Sequence, residues 1–541
     1  MLSRLCALAA VAGAVPIRKF NGQRYATPPV GDKRFAPAEL APFNESTFLE
    51  PGDGRFGPRC MQTGSPRPPT CTRENSTTAE KCINEDCLFL NVATPNASLP
   101  AAAGGEGSAP PVPILVWIHG GGWTAGAGSD YDGGALAASQ NIMVVTINYR
   151  LGVLGWYASD ELAAEPGSEN ATGGMNGVRD QIAALRWIAA NAARFGGDSA
   201  RVTIAGESAG AESVCTLLVA PPAAGLFSRA VVESGPCSGG RAGWGAHPRG
   251  ESLRASAKAT QNRSLAELRA VEDGYELLQG ASHDAAGVGS DDNYDKVQDA
   301  ADGFVLPGEM AGPADASPAA ALLVGGALNA EAVLIGGNSF DGLLSYYLPY
   351  EAPLGMLSRE AYATKMADAW DADAAAVMAL YDVDARFGGN TNAAYVRPDA
   401  DAGVLCPSLA IAGALAARGV AAYAYLFDYG PVCDDVGRLF ATPGAWASHA
   451  AEIAWVFGAR ASCYRDESEL ALTAAMQDLW GSFARGGGDP ASGALTWDPY
   501  TRDGGALMVL DLAPRVERGV KAADCAALLA INASLWPAMV A

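Results

Sequence analysis

Apolar runs along the chain end, one after another, in glycine-rich turns. Pro113–Ile118 (PILVWI) runs into HGGGW, and Ile142–Ile147 (IMVVTI) runs into NYRLG. Both are apolar at nearly every position rather than at alternate ones, the pattern of strands covered on both faces. Val202-Thr203-Ile204 ahead of AGESAG and Val333-Leu334-Ile335 ahead of GGNSFDG read the same way. Between them, Asp180–Arg194 (DQIAALRWIAANAAR) puts Ile182, Leu185, Ile188 and Ala189 on one helical face, and the FGGD that follows supplies glycine for a helix end. Strand, helix, strand in this order predicts an α/β fold: a large, mostly parallel sheet with right-handed crossovers and helices on its faces. The stretch from about 238 to 302 departs from this pattern. It is rich in Gly, Ser, Asp and Ala and shows no strand signal, which predicts an inserted cap or surface excursion with short helices such as Leu265–Leu278.

With 541 residues, 49% hydrophobic and 18% charged, and no repeat period, the chain can bury one large core. A single domain over 16–541 is the expected organisation. The 59 acidic against 37 basic residues give a net charge of −22. Such a surface repels phosphate backbones, so nucleic acid and anionic membranes are not expected partners. Met1–Val15 has an early Arg4, an apolar stretch and small residues near its end, which predicts a signal peptide. No later run has the 18 or so apolar residues of a membrane span, and the C-terminal AALLAINASLWPAMVA is interrupted by Asn532. Of 11 cysteines, Cys60, Cys71, Cys82 and Cys87 cluster in a Pro/Ser/Thr-rich, loop-like segment. They form no CxxC pairs and have no histidine nearby, which favours disulfides over zinc. Sequons begin at Asn44, Asn75, Asn96, Asn170, Asn262 and Asn532, and with paired cysteines and a leader they point to the secretory route.

The candidate chemistry centres on VTIAGESAGAE, where Ser208 lies between Gly206 and Gly210 just after a β-branched run. A nucleophile elbow requires such glycines, because a sharp strand-to-helix turn leaves no room for side chains beside the serine. A serine nucleophile needs a base, and the chain has 4 histidines. His247 and His283 fall in the irregular region and read as surface residues. His119 opens HGGG, a segment suited to presenting the N–H groups of Gly121 and Gly122 to a developing oxyanion. His449 remains, followed by the apolar Ile453–Phe457 that could anchor it. For the acid, Asp341 stands between glycines after an apolar run, whereas the rival Glu331 precedes that run and would emerge at the wrong end of the sheet. Ser, Asp, His is the α/β-hydrolase order. Acyl transfer by this set requires no metal and no organic cofactor, and its partner is a small-molecule ester.

On these residues the chain resembles, from about Phe20 to Ala530, the type-B carboxylesterase and cholinesterase-like family of α/β-hydrolases. EDCLFLNV at 85–92 and FGGDSARVTIAGESAG at 195–210 look like the family's two signatures. FNGQRYATPPVGDKRF, WIHGGGW, NYRLGVLGW, DGFVLP, HAAEIAWVF and FARGGGDP match in order. The resemblance implies an α/β-hydrolase fold with a cap or gorge insertion, Ser208 as nucleophile, His449 as base and Asp341 as acid. It also implies an oxyanion hole of Gly121, Gly122 and the N–H of Ala209, with Glu207, Ser234 and Glu452 as polar neighbours of the histidine. Disulfides Cys60–Cys87 and Cys406–Cys525 are implied too; Cys71 and Cys82 would nest inside the first, while Cys215, Cys237, Cys433 and Cys463 are left unassigned. The chain departs from the family in using aspartate where glutamate is usual, and in placing Glu212 where a small residue is usual. It also lacks a tryptophan between Cys60 and Cys87, which argues against a choline cation as substrate. The family's first β-hairpin is mostly absent from the N-terminus. A lipase acting on longer chains, or a silent adhesion protein of the same family, are the alternatives; the oligomeric state is left open.

Overall fold

The computed structural model of the protein describes residues 15–43, 55–62, 72, 82–100, 105–107, 109–165, 175–237, 253, 256–282, 318–342, 356–430, 446–458, 467–501 and 505–532. Its frame is a 10-stranded sheet. The strands are β1 (Ile17–Arg24), β2 (Phe89–Pro95), β3 (Val112–Ile118), β4 (Met143–Ile147), β5 (Gly197–Glu207), β6 (Arg229–Glu233), β7 (Ala332–Asn338) and β8 (Ala421–Phe427). The small β9 (Ala491–Ser492) and β10 (Leu495–Thr496) form a separate hairpin, and β11 (Ala506–Leu510) and β12 (Arg515–Arg518) complete the sheet. The order is β1-β2-β4-β3-β5-β6-β7-β8-β11-β12, parallel from β4 to β11 and antiparallel at both margins. Every residue of β3 and of β7 is buried, as their unbroken apolar sequences require. This is the α/β-hydrolase fold.

One face of the sheet is covered by helices α2 (Asn176–Asn191), α3 (Ala209–Val219) and α6 (Cys406–Ala417), which pack against Ile114, Val116, Ile204, Val232 and Ile335. The other face is covered by α1 (Gly134–Gln140), α7 (Ile453–Phe457) and α8 (Glu467–Arg485), against Leu115, Trp117, Ala205, Val231, Leu334 and Tyr425. The predicted helix over Asp180–Arg194 begins earlier, at Asn176, and continues as a 3-10 turn over Ala192–Phe195. It stops at Gly196, whose φ of +79° is left-handed and whose Cβ, if present, would lie 2.4 Å from the Ser98 carbonyl oxygen.

The helix expected over Leu265–Leu278 is instead two: α4 (Leu265–Ala270) and α5 (Tyr275–Ser282). A Ser264/Glu267 capping box starts the first, and Asp273 accepts the N–H of Tyr275 (3.0 Å) to restart the chain as the second. Leu265, Leu268, Tyr275 and Leu277 pack on Phe35, Tyr157 and Leu162. The buried Arg34–Glu85 pair also holds the carbonyls of Leu268 (2.6 Å) and Val271 (2.9 Å). The described part of the cap-like region is thus docked on the body. Its remainder, with His247, His283 and DGFVLP, lies outside the described residues, as do residues 1–14 of the expected leader.

Cys60–Cys87 and Cys406–Cys525 are disulfides, as the resemblance implies, and Cys215 pairs with Cys237. Closing a separation of 119 residues, Cys406–Cys525 restricts the unfolded chain by about 5 kcal/mol on loop-entropy grounds. Cys82 is also disulfide-bonded; Cys71, expected to pair with it, lies outside the described residues together with Cys433 and Cys463. Among the described residues one helical run, Thr391–Ala417, is long and apolar enough to cross a membrane, but 72% of its apolar window is buried. It includes a π-helical turn, Asp401–Leu405, whose Val404 packs beside Gly337 of β7. That burial marks it as a core helix.

Candidate active site

Ser208 sits at the end of β5, immediately before α3, with φ 57° and ψ −127°. A left-handed φ at a non-glycine residue stores about 1–3 kcal/mol, held here by the sheet on one side and the helix on the other. The Ser208 N–H donates to the Glu233 carbonyl (2.9 Å), tying the turn to β6. A Cβ on Gly210 would lie 2.1 Å from the Ile118 carbonyl oxygen, and one on Gly206 would lie 2.6 Å from the Gly210 carbonyl carbon. Both positions exclude any side chain, so the turn brings Ser208 up against the end of β3. Gly120 closes the approach from the other side: its Cβ would be 2.7 Å from the Glu207 carbonyl oxygen and 3.0 Å from Ser208 Cβ. The HGGG segment is therefore laid directly against the serine, with Gly121 (φ 104°) and Gly122 (φ 59°) in conformations that favour glycine. Ala209 is fully buried at the first turn of α3.

His119 is buried and stacked on Tyr149 at 4.3 Å; burial lowers its pKa to about 4, so it is a neutral support for the loop. His449 lies elsewhere, in the turn between Trp446 and α7. Its Nδ1 is 2.8 Å from Asp341 Oδ1 and its Nε2 is 3.1 Å from Oε1 of Glu207, the residue next to Ser208. Asp341 is held in turn: its Oδ2 accepts the Asn338 N–H (2.5 Å) and lies 3.0 Å from Ser234 Oγ. The shorter aspartate therefore reaches the histidine. Glu452 lies 3.1 Å from the same Ser234 hydroxyl, accepts the Asn338 side-chain amide (2.6 Å), and is 3.3 Å from the Tyr425 hydroxyl. Glu331, by contrast, is exposed and paired with Arg229 (2.8 Å) ahead of β7, at the far end of the strand from Asp341.

Sequence reasoning missed Glu233, Asn338, Tyr425 and Trp480. Glu233 had a signal: an acid closing the apolar strand RAVVE, in register with Glu207. Glu212 is buried in the first turn of α3.

Burial opposes charge on Glu207, Glu452 and His449. It raises Glu207 to about 8 and Glu452 to about 7, with neighbouring carboxylates adding to the effect. For His449 burial lowers the pKa, but Glu207 and then Asp341 outweigh it and lift the imidazole to about 9. Glu207 Oε1 and His449 Nε2 thus face each other as a charge pair at 3.1 Å. Removing the Glu207 carboxylate leaves burial less opposed, so the sign of the change is downward. In Glu207→Gln the His449 titration followed by NMR is expected to fall by about 1 unit or more; an unchanged midpoint would show that Glu207 does not act on the imidazole.

A sequence model of the carboxylesterase family matches residues 8–528. The chain belongs to the carboxylesterase family. Curated relatives include cocaine esterase of Oryctolagus cuniculus, 42% identical over 219 residues, which is 40% of this chain and 37% of that protein. Liver carboxylesterase 1 of the same organism is 38% identical over 271 residues, 50% of this chain and 42% of that protein. Cocaine esterase of Homo sapiens is 30% identical over 544 residues, 94% of this chain and 86% of that protein. The first two alignments thus span less than half of those two proteins, and the human one spans most of both chains.

Proposed function

We propose that the protein is a serine carboxylic-ester hydrolase, with Ser208 as nucleophile, His449 as base and Asp341 as the acid that holds it. The observation that carries this reading is the half-buried His449, bound to Asp341 through Nδ1 and facing the elbow through Nε2. Family membership supports ester hydrolysis; the residue roles rest on the geometry. As substrate enters, Glu207, whose carboxyl is itself raised to about 8, takes the imidazolium proton, and the neutral Nε2 then turns to the Ser208 hydroxyl and takes its proton while Oγ attacks the ester carbonyl. Catalytic hydrogen bonds of this kind commonly tighten only once substrate is bound. The N–H groups of Gly121, Gly122 and Ala209 then receive the tetrahedral oxyanion, each worth about 3–4 kcal/mol in the transition state. His449 returns the proton to the departing alcohol, leaving an acyl-enzyme that water cleaves by the same sequence.

The disulfides support a secretory setting. Of the sequons in the described residues, Asn262 is exposed, whereas the side-chain amides of Asn96 and Asn532 bond to Glu106 (3.2 Å) and Asp373 (2.6 Å). The substrate class is small to medium esters. Hydrolysis of p-nitrophenyl esters from acetate to palmitate is expected to peak at short chains. A long-chain optimum would make the enzyme a lipase, and no turnover by folded protein would overturn the reading in favour of a silent binding protein.

A further inference from the structure

Glu233 is the last residue of β6, paired in register with Glu207 on β5, and its side chain shares the sheet face of Val231 and Ala205. It is fully buried. Oε1 accepts the Trp480 indole N–H of α8 (2.7 Å), while Oε2 has no hydrogen-bond partner among the described residues. The groups that face it are Glu207 from β5, Glu452 ahead of α7 and Tyr425 from β8, with Asp341 and His449 beyond. Among the described residues no lysine or arginine pairs with any of these four carboxyls, so His449 is the one basic group in reach.

Four buried carboxylates and at most one imidazolium would leave a net charge near −3, and each unpaired buried ion costs several kcal/mol. The cluster must therefore retain protons. The surroundings decide where. Asp341 is met by the Asn338 N–H and by the imidazole, Glu452 by the Asn338 amide and the Tyr425 hydroxyl, and Glu207 by His449. Glu233 has a single donor, a second oxygen that faces none and, unlike Glu207 beside the imidazole, no basic group within ion-pair distance among the described residues, so it is the carboxyl least supported as an anion. We propose that Glu233 is a positioning residue of the esterase site that keeps its proton in the resting enzyme and, as a neutral acid anchored on Trp480, fixes the strand end between the nucleophile and the acid. Burial and then the Glu452 charge push its carboxyl well above the ordinary range, in the same direction.

The placement explains what the proton does. The Glu233 backbone carbonyl receives the Ser208 N–H, and the next residue, Ser234, spans Asp341 and Glu452. An anion here would repel Glu207 and Glu452 and press on both connections, whereas a neutral acid leaves them in place. The inference rests on the esterase reading for its consequence, but its test does not need turnover. An infrared difference spectrum of wild type against Glu233→Gln at neutral pH is expected to lose a protonated-carboxyl C=O band. Trp480→Phe, which removes the donor to Oε1, is expected to move that band to higher frequency. The acid limb of kcat/KM is expected not to shift in Glu233→Gln, because one neutral group replaces another. Loss of carboxylate bands instead, with the limb displaced downward by about 1 unit or more as a buried negative charge disappears, would overturn the proposal. If wild type shows the band but no turnover dependent on Ser208, the esterase reading fails and the protonation of Glu233 stands.

Discussion

Ser208→Ala is expected to lower kcat/KM for p-nitrophenyl acetate by about 10⁴-fold or more, and to abolish covalent labelling by a fluorophosphonate probe. The substitution removes Oγ and nothing else. Alanine tolerates φ 57° no better than serine, so the strain at the elbow is unchanged, and the Ser208 N–H bond to the Glu233 carbonyl remains. The thermal midpoint should therefore stay near that of wild type, which separates a chemical loss from a folding loss. Residual rate above water would come from the oxyanion hole and from binding alone. Turnover within tenfold of wild type would exclude Ser208 as the nucleophile.

The fold and the elbow were legible for the same reason: both are local in sequence. A continuous apolar run between glycine turns has few alternatives to a buried parallel strand, and β3, β4 and β7 follow theirs closely, while β5 runs on past Ile204 to Glu207. At the elbow the glycines are dictated by contacts with Ile118 and Gly210 that any side chain would violate, so spacing alone reveals the turn. Partners separated by long stretches of chain were harder. Asp341 and His449 could be ordered but not joined, because the 2.8 Å contact depends on β7 ending at Asn338 and on that residue also bonding Glu452. Glu233 was hidden by its own strand, since a carboxyl at a sheet edge ordinarily reads as solvated. Only the packing of α8, with Trp480 against Tyr425 at 5.4 Å, shows that this edge is dry. Cys215 and Cys237 likewise meet because α3 folds back along β6. The break between α4 and α5 was missed because the apolar positions on either side keep helical spacing while Asp273 interrupts the backbone.

The second large effect expected is at Asp341. Asp341→Asn should reduce kcat by about 10⁴-fold, because an amide can neither hold the imidazole in the productive tautomer nor stabilise it once charged. The local geometry makes the substitution costly to the fold as well. Oδ1 faces His449 Nδ1 and Oδ2 faces the Asn338 N–H at 2.5 Å, and an asparagine has one carbonyl oxygen to offer. If that oxygen stays on Asn338, the amide N–H₂ confronts Nδ1 and forces the wrong tautomer. If it turns to His449, two N–H donors oppose each other in a buried site, a penalty of about 1–3 kcal/mol. Asp341→Glu restores the charge but adds a methylene where a Cβ on Gly337 would already lie 2.6 Å from Asp341 Oδ2, so it is expected to recover part of the rate without recovering full stability. Measuring kcat beside the thermal midpoint for both variants separates the two contributions. Loss of stability with kcat retained in Asp341→Asn would make Asp341 a structural residue and leave His449 without its acid.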